Sequence, residues 1–313
     1  MNAAVYVPVE PADSHMPVGQ IFVGVDGSSA SLDALRWATR LADGVGAGVT
    51  SIYAFEPPPA EGESIAYRVQ RKEAEERLAA WSAQVDSPVA VSPLLVDGNP
   101  DALLPIVAEK ADLLVVGTRG AGGVAHLHLG SVAHHLAHRV SVPMAIVPVG
   151  AATRRIARIV VGVDGSSESA AAVEFCATIA PLLGASVVAV YAFEPFAEWV
   201  PADDPKSWRR TAVTNVRSWV APIEAAGVPV RVEVRRDIHP VGALRAAIDE
   251  APDTLAVVGA RGVGGVSGLR LGRVPIQLVH HSGAVVVMAP VAVPPQRDLV
   301  SEGEAALPGA GGR

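Results

Sequence analysis

Ile21–Val25 is a short β-branched, apolar run without polar alternation, the pattern of a strand buried on both faces. Ser28 or Ser29 then caps a helix that runs through Ala42. Along it Leu32, Leu35, Trp37, Ala38 and Leu41 recur near helical spacing. The same reading predicts a strand at 49–55, a charged helix at 64–83, a strand at 89–96 and a helix from Asn99 or Pro100 to Lys110. A strand at 113–116, a helix at 131–139 and a last strand at 144–147 follow. The second half predicts the same order at 159–163, 168–182, 186–192, 206–226, 228–235, 240–250, 255–258, 274–282 and 284–289. Alternating strands and helices with right-handed crossovers build an open parallel sheet covered on both faces.

The likeness of the halves extends to letters. Val23 to Ser29 recurs without change as Val161 to Ser167, and Tyr53 to Pro57 as Tyr191 to Pro195, both displaced by 138 residues. Asp97 and Pro100 correspond to Asp237 and Pro240 at a displacement of 140, and Gly117 to Gly120 correspond to Gly259 to Gly262 at 142. Small insertions in loops explain the drift, and a tandem duplication explains the rest. Two α/β domains are expected, at 18–150 and 155–293, joined by the polar linker Gly150 to Arg155. Residues 1–17 and 294–313 are expected to be mobile tails.

Composition narrows the function classes. Half of the 313 residues are hydrophobic and 18% are charged, which suits folded domains with real cores. The 25 basic and 32 acidic residues give a net charge of −7 with no strongly basic block, which argues against nucleic acid or an anionic membrane as a partner. Cys176 is the single cysteine and lies in a helix-like apolar context, so it reads as core filling. No secretory leader pattern opens the chain and no apolar run reaches the ~18 residues of a spanning helix, so a cytoplasmic location is expected.

Open parallel sheets bind ligands beyond the carboxyl ends of their strands, where the strand order reverses. After the fourth strand stand Gly117, Thr118, Arg119, Gly120, Ala121, Gly122 and Gly123, and further on Gly130 and Ser131 open a helix. Small residues let amides approach an anion, and a helix start adds partial positive charge. The Ser131 hydroxyl can donate to a phosphate oxygen. Neither a Walker loop nor the dinucleotide glycine pattern is present. Asp26, just past the first strand, suits a ribose hydroxyl or a phosphate-bound Mg²⁺, or else caps the following helix.

The spacing of Gly117, Gly120, Gly130 and Ser131 resembles the nucleotide motif of the universal stress protein family. The opening strand with Asp26, the Tyr53-Ala54 strand end, Gly98-Asn99-Pro100 and the ending Val142 to Pro148 resemble it too. The resemblance implies five-stranded sheets of order 3-2-1-4-5 and binding of ATP, with Mg as companion ion. It places Gly117, Gly120, Gly130, Ser131 and Val132 at the triphosphate. Gly24 and Asp26 fall near ribose and phosphates, and Ala54 at the adenine. Gly162, Asp164, Ala192, Gly259, Gly262, Gly272 and Arg273 take the matching places in the second half.

That half departs from the pattern, because Arg273 replaces the motif's Ser or Thr and Ile238 replaces Gly98. Arg273 either forks onto phosphate oxygens or fills the phosphate site, with Asp164 as its nearest candidate ion-pair partner. Persistence of the glycines and Asp164 favours a second nucleotide. Arg119 and Arg261 read as loop-surface arginines. His126, His128, His134, His135 and His138 cluster, with His134 and His138 at a zinc-compatible spacing, but no carboxylate or cysteine lies nearby in sequence. A polar helix face or subunit contact is the simpler reading. The apolar last strands, 143–148 and 284–289, are expected at sheet edges, and the resemblance implies that they pair within the chain, with a homodimer as a further arrangement. The expected function is a nucleotide-dependent regulator in stress response. The competing classes are a slow ATPase or other adenine-nucleotide enzyme, and an interaction scaffold with vestigial pockets. No catalytic base is placed by the sequence.

Overall fold

In the computed structural model, which describes residues 18–56, 64–120, 129–152, 155–193, 207–236, 239–262 and 271–290, strands and helices alternate through both halves. The first half runs β1 (Gln20–Gly24), α1 (Ser29–Val45), β2 (Gly48–Phe55), α2 (Ile65–Ala83), β3 (Val91–Asp97), α3 (Pro100–Ala108), β4 (Leu113–Gly117), α4 (Ser131–Arg139) and β5 (Met144–Val147). The second runs β6 (Arg158–Gly162), α5 (Ser167–Leu183), β7 (Ser186–Phe193), α6 (Ser207–Trp219), α7 (Ala221–Ala225), β8 (Val230–Arg236), α8 (Pro240–Ile248), β9 (Thr254–Gly259), α9 (Arg273–His281) and β10 (Val285–Ala289).

Local chemistry sets these boundaries. Ser28 is the cap of α1, its hydroxyl accepting from the Ser31 amide at 3.2 Å. Asn99 caps α3 by accepting from Asp101 N at 2.9 Å, and Pro100 takes the first helical position, where a missing N–H costs nothing. The single helix expected at 206–226 is two helices. Val220 leaves helical geometry (φ −92°, ψ 4°), and Pro222, which lacks an N–H and crowds the carbonyl four residues back, cannot continue α6.

The strands form one ten-stranded sheet of order β3-β2-β1-β4-β5-β10-β9-β6-β7-β8, so each half has the order 3-2-1-4-5. Neighbours within each half are parallel, whereas β5 and β10 pair antiparallel in the register Met144↔Met288, Ala145↔Val287 and Ile146↔Val286. The two apolar strands expected at edges therefore satisfy each other's backbone. Side chains alternate between two cores, each shared by both halves. Leu113 and Val115 join Val287 under α1 and α5, while Leu114 and Val116 join Val286 under α4 and α9. The true edges, β3 and β8, carry Pro93 and the charged series Arg231, Glu233 and Arg235, which oppose further strand addition.

Part of the expected polar linker is packed against the fold. Ala151 and Ala152 are buried in the core under α1, and Gly150 N donates to Asp33 Oδ2 at 2.8 Å. Cys176 is fully buried, and burial pushes its thiol far up, as core filling requires. No helix among the described residues is long and apolar enough to cross a membrane. The expected tails and Ile238 lie outside the described residues.

Candidate functional site

The site in the first lobe is assembled at the carboxyl ends of β1, β2 and β4. Beyond β1, Asp26 Oδ1 accepts from the Ser28 amide (3.0 Å) and hydroxyl (2.6 Å), and Asp26 N donates to Ser31 Oγ at 3.2 Å. One carboxylate oxygen thus holds the helix cap in place. The other faces the glycine loop, for a Cβ on Gly120 would lie 2.4 Å from Asp26 Oδ2. Gly27 turns the chain at φ +79°, and a Cβ there would lie 2.4 Å from the Trp81 ring. Trp81 stands edge-to-face on Tyr53 with ring centroids 5.1 Å apart, so α2 braces both the turn and the end of β2.

Backbone alternation along β2 exposes an amide. Val25 N donates to Ile52 O at 2.8 Å on the β1 side, and Gly98 N donates to Phe55 O at 2.7 Å on the β3 side. Ala54, two residues past Ile52, turns its N–H and C=O to the β1 side again, after β1 has ended. Ala54 therefore presents a donor and an acceptor side by side at the cavity wall.

The far end of the cavity is made by β4 and α4. Gly117 ends β4 with no room for a side chain, since a Cβ would lie 2.6 Å from the Ala30 carbonyl carbon. Gly130 N donates to Thr118 O at 2.7 Å, and His134 N makes the first intrahelical bond, to Gly130 O at 2.9 Å. Gly130 is the cap of α4 and supplies no side-chain acceptor. The amides of Ser131, Val132 and Ala133 therefore find no acceptor among the described residues. Gly130 itself contributes shape, not a donor, because its N–H is already used. Between the Ala54 end and the α4 end lies a cavity of about 470 Å³, a size suited to a small organic ligand. Gly24, Asp26, Ala54, Gly117, Gly120, Gly130, Ser131 and Val132 all line it, and so does Arg119, which is wall and not open surface.

The second lobe repeats the scaffold. Ser166 N and Oγ donate to Asp164 Oδ1 at 3.0 and 2.5 Å, Val163 N donates to Val190 O at 3.1 Å, and Gly272 N donates to Ala260 O at 2.7 Å. Gly162, Asp164, Ala192, Gly259, Gly262, Gly272 and Arg273 thus occupy the places of their first-lobe counterparts. Trp219 stacks edge-to-face on Tyr191 at 5.5 Å, and burial with the nearby Asp164 charge pushes the Tyr191 hydroxyl up.

Two expectations are corrected here. Arg273 is exposed and has no salt-bridge partner among the described residues, so the pairing with Asp164 is not made. Arg261 is a part-exposed arginine that is not free at the surface but tied down by Glu168 Oε1, at 2.8 Å from Nε and 2.7 Å from Nη2.

The histidines present a polar helix face. His135 Nδ1 lies 3.0 Å from Asp101 Oδ2, a carboxylate brought from α3, and the His134 and His138 rings stand 4.9 Å apart. Burial, then the neighbouring histidines, lowers the His138 pKa. Among the described residues no group of three or more potential ligands could hold a metal; His126 and His128 lie outside them. Sequence reading missed Trp81, Trp219, Ser31, Ser169, Glu168 and Pro275. The 138-residue displacement that reveals the repeat pairs Trp81 with Trp219 and Ser31 with Ser169, and would have found them.

Comparison with known proteins agrees with this architecture. The family model described as Universal stress protein family matches residues 18–148 and again 155–290. Universal stress protein Rv1996 of Mycobacterium tuberculosis is 27% identical over 305 residues, spanning 86% of this chain and 94% of its own length. A universal stress protein of Mycolicibacterium smegmatis is 27% identical over 288 residues, spanning 86% and 96%. Among solved structures, a universal stress protein from Archaeoglobus fulgidus superposes with a TM-score of 0.65 at 18% identity, covering 88% of this chain and 99% of that one. A universal stress protein solved in complex with cAMP is 27% identical and covers 43% of this chain and 99% of its own, with a TM-score of 0.35. Matched twice in succession over nearly all of its described residues, the chain belongs to the universal stress protein family.

Proposed function

We propose that the first lobe binds ATP and that the protein acts as a nucleotide-dependent regulator in the cytoplasm. The observation that carries this reading is the start of α4, whose three amides line a cavity and have no acceptor among the described residues. Amides so placed, with the helix dipole behind them, favour a phosphate chain. At the opposite wall Ala54 offers the paired donor and acceptor that an adenine edge can match, flanked by apolar Ile52, Val25 and Leu104. Asp26 also lines the cavity, as does Ser131 at the α4 end, and their carboxylate and hydroxyl would hold ribose and phosphate oxygens. An accompanying Mg²⁺ would rely on phosphate oxygens, water and at most the Asp26 carboxylate, a usual arrangement for that ion. Occupancy of the cavity, not turnover, is the proposed signal.

Mass analysis of the supernatant from denatured purified protein, with calorimetric titration of Mg-ATP, tests the reading. Co-purified ATP or a saturable ATP isotherm supports it. The absence of both at millimolar Mg-ATP overturns it.

A further inference from the structure

The lobes share a backbone plan and differ at the phosphate end. Resting on the nucleotide reading above, we infer that the chain holds one polyphosphate site, in the first lobe, and that the second lobe's rim is rebuilt against such a ligand. Three matched positions carry this. Ala133, third residue of α4, corresponds to Pro275, third residue of α9. An acceptor at a helix cap takes the N–H of the second or third residue, and proline has none to give. Ser131 corresponds to Arg273, so the hydroxyl donor is also absent.

Ala30 corresponds to Glu168, whose carboxylate, only 10% exposed, grips Arg261. Glu168 sits against the end of β9, where a Cβ on Gly259 would lie 2.8 Å from the Glu168 Cβ. A shielded anion therefore stands beside the second glycine loop and offsets the arginine that matches wall residue Arg119. Burial works to raise the Glu168 pKa, but hydrogen bonds from Ser167, its own amide and Arg261 outweigh this, so the carboxylate stays ionised. Arg273 returns a charge to the rim, but as an exposed, solvated side chain it replaces the one lost amide and the lost hydroxyl poorly.

The test uses the full chain. Calorimetric titration with Mg-ATP is expected to give one tight site per chain, any second site being at least about tenfold weaker, the worth of a charge-assisted hydrogen bond. Photolabelling with an azido-ATP at the concentration that fills the tight site should mark first-lobe peptides alone. Ser131→Asp, which sets a carboxylate at the start of α4, should abolish that label. The triple change Glu168→Ala, Arg273→Ser and Pro275→Ala should raise the count from one to two. Two equal sites in the unaltered chain, label in the second lobe, or a folded triple variant that still binds one nucleotide each overturn the inference and leave the nucleotide reading standing. No binding at all overturns both. Should the triple variant not fold, the count and the label on the unaltered chain decide by themselves.

Discussion

Ala133→Pro isolates the contribution of a single amide to the first-lobe site. The Ala133 N–H has no acceptor among the described residues, so its removal costs no hydrogen bond among them. The position tolerates proline sterically in the matching helix, where Pro275 is buried behind a cap of nearly the same geometry. Gly272 has φ −85° and ψ 169°, against −71° and 161° at Gly130. Proline in a first helical turn is compatible with the helix, and the restriction it puts on the preceding residue is already accepted by Val274 in α9. The stability loss should therefore stay within about 1 kcal/mol. If the amide meets a phosphate oxygen, its loss removes a charge-assisted hydrogen bond of about 1.5–3 kcal/mol, which is roughly a 10- to 150-fold rise in Kd. Titration calorimetry with Mg-ATP and, in parallel, with adenosine reads this out. The ATP isotherm should weaken by that factor while the adenosine isotherm stays within twofold. ATP affinity that does not move refutes the assignment of the α4 amides to phosphate, and equal weakening of both ligands would show distortion in place of a lost donor.

Three other substitutions probe the frame around the site. Gly27→Ala forces a Cβ into the Trp81 ring at φ +79°, and should cost about 2 kcal/mol or more in urea unfolding with a shift in tryptophan emission; a loss under about 0.5 kcal/mol contradicts the brace. Glu168 has a folded pKa below its ordinary 4.5, so its stabilising share is present above that value and disappears as pH falls through the depressed one. Glu168→Gln should therefore flatten the acid limb of the stability curve below about pH 4.5, as followed by urea melts across a pH series; parallel limbs would remove the carboxylate from that role. Ile146→Ala empties a side chain that is 1% exposed at the β5–β10 seam and should cost about 2–5 kcal/mol in one cooperative transition. Two separate transitions, with only the first shifted, would mean that the seam does not couple the lobes.

The elements were legible because buried parallel strands read as unbroken apolar runs and because punctuation was explicit. Ser28, Asn99 with Pro100, and Gly130 start α1, α3 and α4 where the letters put them. The break between α6 and α7 was written in Pro222 but hidden by the apolar periodicity on either side of it. The histidine face could not be read fully either, since Asp101 reaches His135 from another helix and no local pattern announces that contact. For the same reason the partner of Arg261 was out of reach. Glu168 is 93 residues away in sequence and becomes its neighbour only when the start of α5 packs on the end of β9.

The internal repeat also separates what the glycines do for the fold from what they do for a ligand. A Cβ at Gly259 would lie 2.7 Å from the Glu168 backbone, and one at Gly262 would lie 2.3 Å from Asp164 Oδ2. The first-lobe counterparts show the same crowding, Gly117 against Ala30 and Gly120 against Asp26. Gly117 and Gly259, which face backbone, are thus required by protein packing alone, and an Asp that orients the Ser166 cap serves the scaffold as well. Their persistence in the second lobe is what an intact scaffold demands, whether or not that lobe has a ligand. Evidence about a ligand must come from positions that packing leaves open, and the start of α4 or α9 supplies two. Ser131 and Arg273 are both exposed, with nothing in the fold to dictate their identity. The third residue of the helix accepts Ala133 or Pro275 in the same buried place. The lobes diverge at these positions while agreeing at those that packing fixes. Such a pattern is expected when one copy of a duplicated site keeps its ligand and the other keeps only its fold.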